Sequence, residues 1–182
     1  MVYRPWCAGA RRVTRFNIEK ITIMDIRIGC GYDVHALADG LRLVLCGIEV
    51  PHTKGCVAHS DGDVAIHAIC DAMLGALALG DIGKLFPDSD AKYKGIDSTL
   101  LLKEVVELVR SKGYDVSNID CTIAMQRPKL RPHIDAMRTR LAEVVGIAVD
   151  RVSVKATTTE HLGFEGREEG VSTTAVVLLI AQ

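Results

Sequence analysis

Apolar and polar positions alternate over Ile26–Cys30, which is the period of a strand with one buried face. Leu41–Leu45 predicts a second strand after a turn at Asp39-Gly40, and a loop containing Pro51 and Gly55 follows. From Asp61 to Leu79 the period changes to that of a helix, with Val64, Ile66, Met73, Leu74, Leu77 and Ala78 on its inner side. Ser60, with an acid at Asp63, fits the N-cap of that helix. Residues Gly80 to Asp90 are rich in Gly, Pro and Asp and read as a loop. Leu101, Val105, Leu108 and Val109 predict a helix over Ser98–Ser111, stopped by Gly113. A strand over Val116–Gln126 ends before Pro128, a helix spans Pro132–Val145 up to Gly146, and Val152–Ala156 and Thr173–Ile180 are further strands. Strands and helices alternate only in part. The pattern predicts a single α/β (α+β) domain, with one mixed sheet covered by helices on one face.

At 182 residues and 48% hydrophobic content, the chain can bury one substantial core. A formal net charge of −1 gives no electrostatic case for nucleic acid, and 4% aromatic residues are too few for base-stacking platforms. The six cysteines form no C-x-x-C pair and read as reduced thiols, several of them small buried apolar groups. No stretch is long and apolar enough to span a bilayer. Residues 1–23 carry five basic side chains against Glu19, a net +4 that leaves −5 for residues 24–182. They read as a basic N-terminal extension outside the fold, with a transit peptide as the alternative. The expected compartment is therefore the cytoplasm, or an organelle if that alternative holds.

Candidate chemistry starts at Asp33-Val34-His35. Residues two apart on a strand point the same way, so Asp33 and His35 can aim at one point. With His67 from the first helix they make three ligands suited to zinc, leaving a fourth position open as catalytic sites do. Asp63, His67 and Asp71 fall at i, i+4 and i+8, one polar stripe on an otherwise apolar helix. That stripe fits a carboxylate orienting His67 or a solvent-facing edge. His59, beside the helix start, is either a loop histidine or a contact for an anion at the helix N-terminus. His52, His133 and His161 read as structural or solvated.

Thr157, Thr158 and Thr159 end a strand just before Glu160. Threonines there serve β-propensity or hold phosphate oxygens, and a lone Glu suits Mg²⁺ only if substrate phosphates supply other ligands. Lys129, leaving another strand, is a point charge for phosphate or a surface residue. Phe164 to Gly170 reads as a solvated turn.

Six segments in order, Gly29-Cys30-Gly31-Tyr32-Asp33-Val34-His35, His59 to His67, Gly80 to Asp88, Gln126 to Lys129, Lys155 to Phe164 and Gly166 to Gly170, resemble the 2-C-methyl-D-erythritol 2,4-cyclodiphosphate synthase family of the non-mevalonate isoprenoid pathway. The resemblance runs from about Ile26 to Ala181; the tail before Met24 has no counterpart in the family core. It implies a phosphorus–oxygen lyase that cyclises 4-diphosphocytidyl-2-C-methyl-D-erythritol 2-phosphate and releases CMP. It also implies a homotrimer with sites between subunits, and neither nucleic acid nor membrane as a partner.

Residue by residue, the resemblance implies catalytic roles for Asp33, His35 and His67 as Zn²⁺ ligands and for Glu160 on Mg²⁺ or Mn²⁺. His59, Ser60 and Asp88 would hold the methylerythritol phosphate end, with Asp63, Asp81, Gly83 and Phe86 also on substrate. Met125 to Leu130 would form the cytosine pocket, with Lys129 on phosphate, joined by Ala156, Thr157 and Thr158. Phe164, Arg167 and Glu169 match a central cavity able to take an isoprenoid diphosphate. Two rival readings remain: a metal-dependent phosphohydrolase, and a non-catalytic trimer that binds an isoprenoid diphosphate.

Overall fold

A computed structural model describes residues 25–87 and 89–182. The N-terminal extension over residues 1–23 and the substrate contact expected at Asp88 both lie outside the described residues.

Strand β1 (Ile26–Asp39) is far longer than the five residues the alternation marks. A small hairpin follows, β2 (Leu43–Leu45) and β3 (Ile48–Val50), then β4 (Lys54–Cys56). Helices α1 (Val64–Ala76), α2 (Ile82–Leu85) and α3 (Ser98–Ser111) come next. The chain closes with β5 (Tyr114–Ala124), α4 (Ile134–Val145), β6 (Val152–Thr157), α5 (Gly163–Gly166) and β7 (Gly170–Ala181). The main sheet has the order β4-β1-β7-β5-β6, parallel only between β5 and β6. The mixed sheet and the helices packed on one of its faces agree with the sequence pattern. Among the described residues no helix is long and apolar enough to cross a membrane.

Strand β1 is two-sided. Gly29, Gly31, Asp33 and His35 face α1, whereas Ile26, Ile28, Cys30, Tyr32 and Val34 are exposed on the other face. The α1 side is unusually close. A Cβ on Gly29 or Gly31 would overlap the carbonyl oxygens of Ala72 and Ala68, respectively. Small residues on both partners let the two backbones approach, and Ala65, Ala68, Ala72 and Ala76 recur on the helix at the spacing of one face. The other sides of α1 bury Ile66, Ile69 and Met73 completely, each worth about 1.5–3 kcal/mol.

Helix α1 starts three residues later than Asp61. Gly62 has a φ of 75°, which breaks helical continuation, and the N-cap is Asp63 rather than Ser60. The Asp63 carboxylate accepts from the N–H groups of Ala65 and Ile66. It also accepts from Cys46 and Gly47 at 2.9 and 2.6 Å, both at positive φ in the two-residue turn between β2 and β3. One buried acid thus ties hairpin to helix.

Candidate functional site

The α1–β1 seam sets where His67 lies. His67 Nδ1 is 3.0 Å from Asp33 Oδ2 and 3.1 Å from His35 Nε2, and His35 Nε2 is 3.1 Å from Asp33 Oδ2. Three donors of different residues thus form a near-equilateral triangle, the one such cluster among the described residues. A tetrahedral ion with bonds of about 2.0–2.1 Å spaces its ligands by roughly 3.3–3.4 Å, so a few tenths of an ångström of relaxation lets these donors hold one. The donor set fits a metal.

Burial alone would raise the Asp33 carboxyl, but contacts with His35 and His67 outweigh it and hold it far below the usual range. Burial alone would lower His67, yet the Asp33 contact and the charges of Asp33, Asp63 and Asp61 outweigh it and raise it above 6.5. The signs give a crossing pH dependence. In metal-free protein, the His67 contribution is full below pH 6.5 and fades as pH rises through its raised value. The Asp33 contribution is present above 3.8 and fades only as pH falls through its depressed value. Metal requires neutral imidazole, so the metal-dependent increment must instead grow as pH rises. Melting curves across pH, with chelator and with Zn²⁺, are expected to show the chelated protein losing stability through the same interval above pH 6.5 in which the loaded protein gains it. A chelated protein that gains stability there would exclude the Asp33–His67 pairing.

The triangle lines a cavity of about 350 Å³ with His59, Ser60, Gly83 and Phe86 among its walls. His59 Nε2 is buried without a hydrogen-bond partner. The helix N-terminus is not available to an anion beside it, because Asp63 already takes those N–H groups. Asp63 itself is fully buried, so it is a structural cap and not a substrate contact. Burial, offset in part by N–H donors from Gly47, Ile66 and Cys46, pushes its carboxyl up to about 6. Nor does it orient His67, whose partly exposed stripe on α1 continues through Asp71 and Gly75 instead. Asp71 accepts from Ile82 N at 2.7 Å and fastens α2 over this cavity. The residues Gly80 to Asp90, read as a loop, contain that short helix because Asp81 caps it through Lys84 N at 2.9 Å. Phe86 is buried edge-on to Tyr93.

Met125, Lys129, Leu130, Ala156, Thr157 and Thr158 line a different cavity, of about 720 Å³, with Arg131 and Asp135 on its rim. The Met125 N–H donates to Thr157 O at 3.0 Å and joins its two walls. Met125 and Leu130 are buried, while Lys129 is exposed. Glu160 is exposed at a φ of 52° and accepts from Thr158 Oγ1 at 2.8 Å. Within one chain it is not part of the donor triangle. Phe164 lies in α5, in contact range of Gly170, and Arg167 pairs through two bonds with Glu169 at 3.0 and 2.8 Å. The turn read over Phe164 to Gly170 is thus partly helical.

The 2-C-methyl-D-erythritol 2,4-cyclodiphosphate synthase of Thioalkalivibrio sulfidiphilus is 60% identical over 155 residues, 85% of this chain and 97% of the relative. A solved 2C-methyl-D-erythritol-2,4-cyclodiphosphate synthase in a CDP-bound form superposes with a TM-score of 0.78 at 41% identity, covering 84% of this chain and 99% of that one. The bifunctional IspDF of Campylobacter jejuni gives 0.84 at 43% identity, over 87% of this chain, which spans only 43% of that longer protein. The YgbB family model aligns with residues 26–180, nearly everything the structure describes, and the chain belongs to that family.

Proposed function

We propose that this protein is a 2-C-methyl-D-erythritol 2,4-cyclodiphosphate synthase, and the observation that carries the reading is the Asp33–His35–His67 triangle opening into a cavity that His59 and Ser60 also wall. The substrate's 2-phosphate oxygen attacks the β-phosphorus, the bond from that phosphorus to the α–β bridging oxygen breaks, and CMP leaves with the oxygen. The nucleophile belongs to the substrate, so the chain must fold it, align attacking and leaving oxygens, and spread negative charge. Asp33, His35 and His67 would hold Zn²⁺ and Glu160 a Mg²⁺ or Mn²⁺; bound there, the ions supply Lewis-acid stabilisation of the diphosphate. His59 and Ser60 orient the methylerythritol phosphate end, with Gly83 and Phe86 shaping that side and Asp81 capping the short helix that carries Gly83. Met125, Leu130, Ala156, Thr157 and Thr158 receive the cytidine half, with Lys129 on phosphate.

The two cavities separate the metal half from the nucleotide half within one chain, which supports sites completed between subunits. The bare sheet face supports the homotrimer: Ile28 and Tyr32 are 67% and 57% exposed, beside Val34 and Val176. Phe164, Arg167 and Glu169 remain the proposed lining of a central cavity for an isoprenoid diphosphate. Free thiols at all five described cysteines suit the cytoplasm.

Phosphorus NMR of the CDP-linked substrate incubated with parent and Glu160→Gln protein across a Mg²⁺ titration tests the reading. The parent is expected to yield the cyclic diphosphate and CMP, and the variant to turn over on the order of a hundredfold slower, about 3 kcal/mol. CMP without a cyclic product would mean hydrolysis instead.

A further inference from the structure

Three hydrogen bonds behind His67 determine which of its nitrogens can bind a metal. Ser98, the first residue of α3, is fully buried, and its Oγ lies 3.0 Å from His67 Nε2. Asp61, in the loop before α1, accepts the Ser98 hydroxyl at 2.5 Å through Oδ1 and the Ser98 N–H at 3.0 Å through Oδ2. Oδ1 also accepts from Asp63 N at 3.2 Å, and Asp61 N donates to Ile96 O, so the carboxylate is locked in place.

A serine hydroxyl has one proton, and here the carboxylate takes it. Toward His67, Ser98 Oγ can then only accept. Nε2 must then carry a proton, and for Nδ1 to carry the lone pair in the neutral ring this side has to outweigh Asp33 Oδ2, which also only accepts and draws the proton toward Nδ1 in metal-free protein. Nδ1 is the atom at 3.0–3.1 Å from Asp33 and His35. Ser60 Oγ, 3.2 Å from the same Nε2, accepts from Gly62 N and keeps its own proton, so it can serve either tautomer and leaves the choice to Ser98.

We propose that Asp61 and Ser98 are positioning residues: the relay from His67 Nε2 through Ser98 to Asp61 selects the Nε2–H tautomer and aims the Nδ1 lone pair at the metal. Neither residue touches metal or substrate. The proposal rests on reading the Asp33–His35–His67 triangle as a metal centre. It also makes an ordered distinction between two variants. Ser98→Ala removes the selection and leaves Asp33 at Nδ1 unopposed by it. Asp61→Asn does worse. If its amide nitrogen faces Ser98 Oγ, the hydroxyl is driven to donate to His67 and the wrong tautomer is selected; if it faces the Ser98 N–H, two donors collide. Partners behind a ligating histidine are typically worth about 10–100-fold in metal affinity.

Full-length parent, Ser98→Ala and Asp61→Asn proteins are titrated with Zn²⁺ against a competing chelator. In parallel, long-range ¹H–¹⁵N spectra of histidine-labelled, metal-free protein are taken at alkaline pH, where His67 is neutral. Affinity is expected to fall about tenfold in Ser98→Ala and about a hundredfold in Asp61→Asn. The His67 ¹⁵N shifts should leave the Nε2–H pattern in both, with cooperative melting retained. Alanine at a capped first helical position keeps α3 intact, since Asp97 still accepts from Thr99 N. Parent-like imidazole shifts in both variants would overturn the relay, whatever happens to affinity. Parent protein that binds no Zn²⁺ would instead refute the metal centre while the metal-free spectra still decide the tautomer.

Discussion

Replacing His67 with alanine is expected to strip most Zn²⁺ from the protein and to slow cyclisation by at least about a thousandfold, roughly 4 kcal/mol of transition-state stabilisation. The effect is large because the centre has three protein donors and no spare. Asp33 and His35 come from one strand and can hold an ion only from one side, whereas His67 closes the triangle from α1. Alanine is the best helix former, so α1 persists and the loss reads as chemistry rather than unfolding. Some stability is lost as well, because Asp33 and Ser98 each lose a contact. Metal content per chain, measured beside phosphorus NMR turnover, checks this. One Zn²⁺ per chain and parent turnover in the variant would remove His67 from the centre.

Gly31→Ala is expected to destabilise the fold by about 3 kcal/mol or more, roughly 6–12 °C in melting temperature. Ordinarily glycine to alanine gains about 0.4–1 kcal/mol by restricting the unfolded chain. Here that gain is overwhelmed. The new Cβ overlaps the Ala68 carbonyl oxygen and lies 2.7 Å from the Ala72 nitrogen, and both are helix backbone that cannot rotate away. Relief requires α1 to back off from β1, which also carries His67 away from Asp33 and His35. Zn²⁺ affinity should fall together with stability. Gly40→Ala is the contrast: its φ of 77° is strained for alanine, but nothing lies within 4 Å, so only about 1 kcal/mol is expected. Similar melting losses at the two sites would deny the close seam.

Helix α3 was legible to the residue, because its apolar period and its flanking Asp97 and Gly113 act locally. So was the pairing of Asp33 with His35, which needs only the alternation of a strand. The start of α1 was not, because Ser60, Asp61 and Asp63 all suit a cap and the choice is made by the β2–β3 turn, whose N–H groups only Asp63 reaches. The short helix Ile82–Leu85 was hidden in a segment whose composition favours loops, and it is held by Asp71 from a distance. Asp61 and Ser98, 37 positions apart, carry no local sign of acting together. Gly29 and Gly31 stood within a recognisable segment, but their reason for being glycine lies in a helix some forty residues downstream.

The two-sidedness of β1 has a consequence for how this sequence can change by insertion and deletion. Its odd positions from Gly29 to His35 hold the helix seam and the donors, and its even positions form the bare apolar face. A substitution disturbs one of these duties. Losing or gaining a single residue inside the strand exchanges them over everything beyond that point, turning Asp33 and His35 outward and Tyr32 and Val34 toward α1. The strand can therefore vary in chemistry on its bare face while its length between Gly29 and His35 stays fixed, and length variation is confined to the turn at Gly40, where added atoms meet open space.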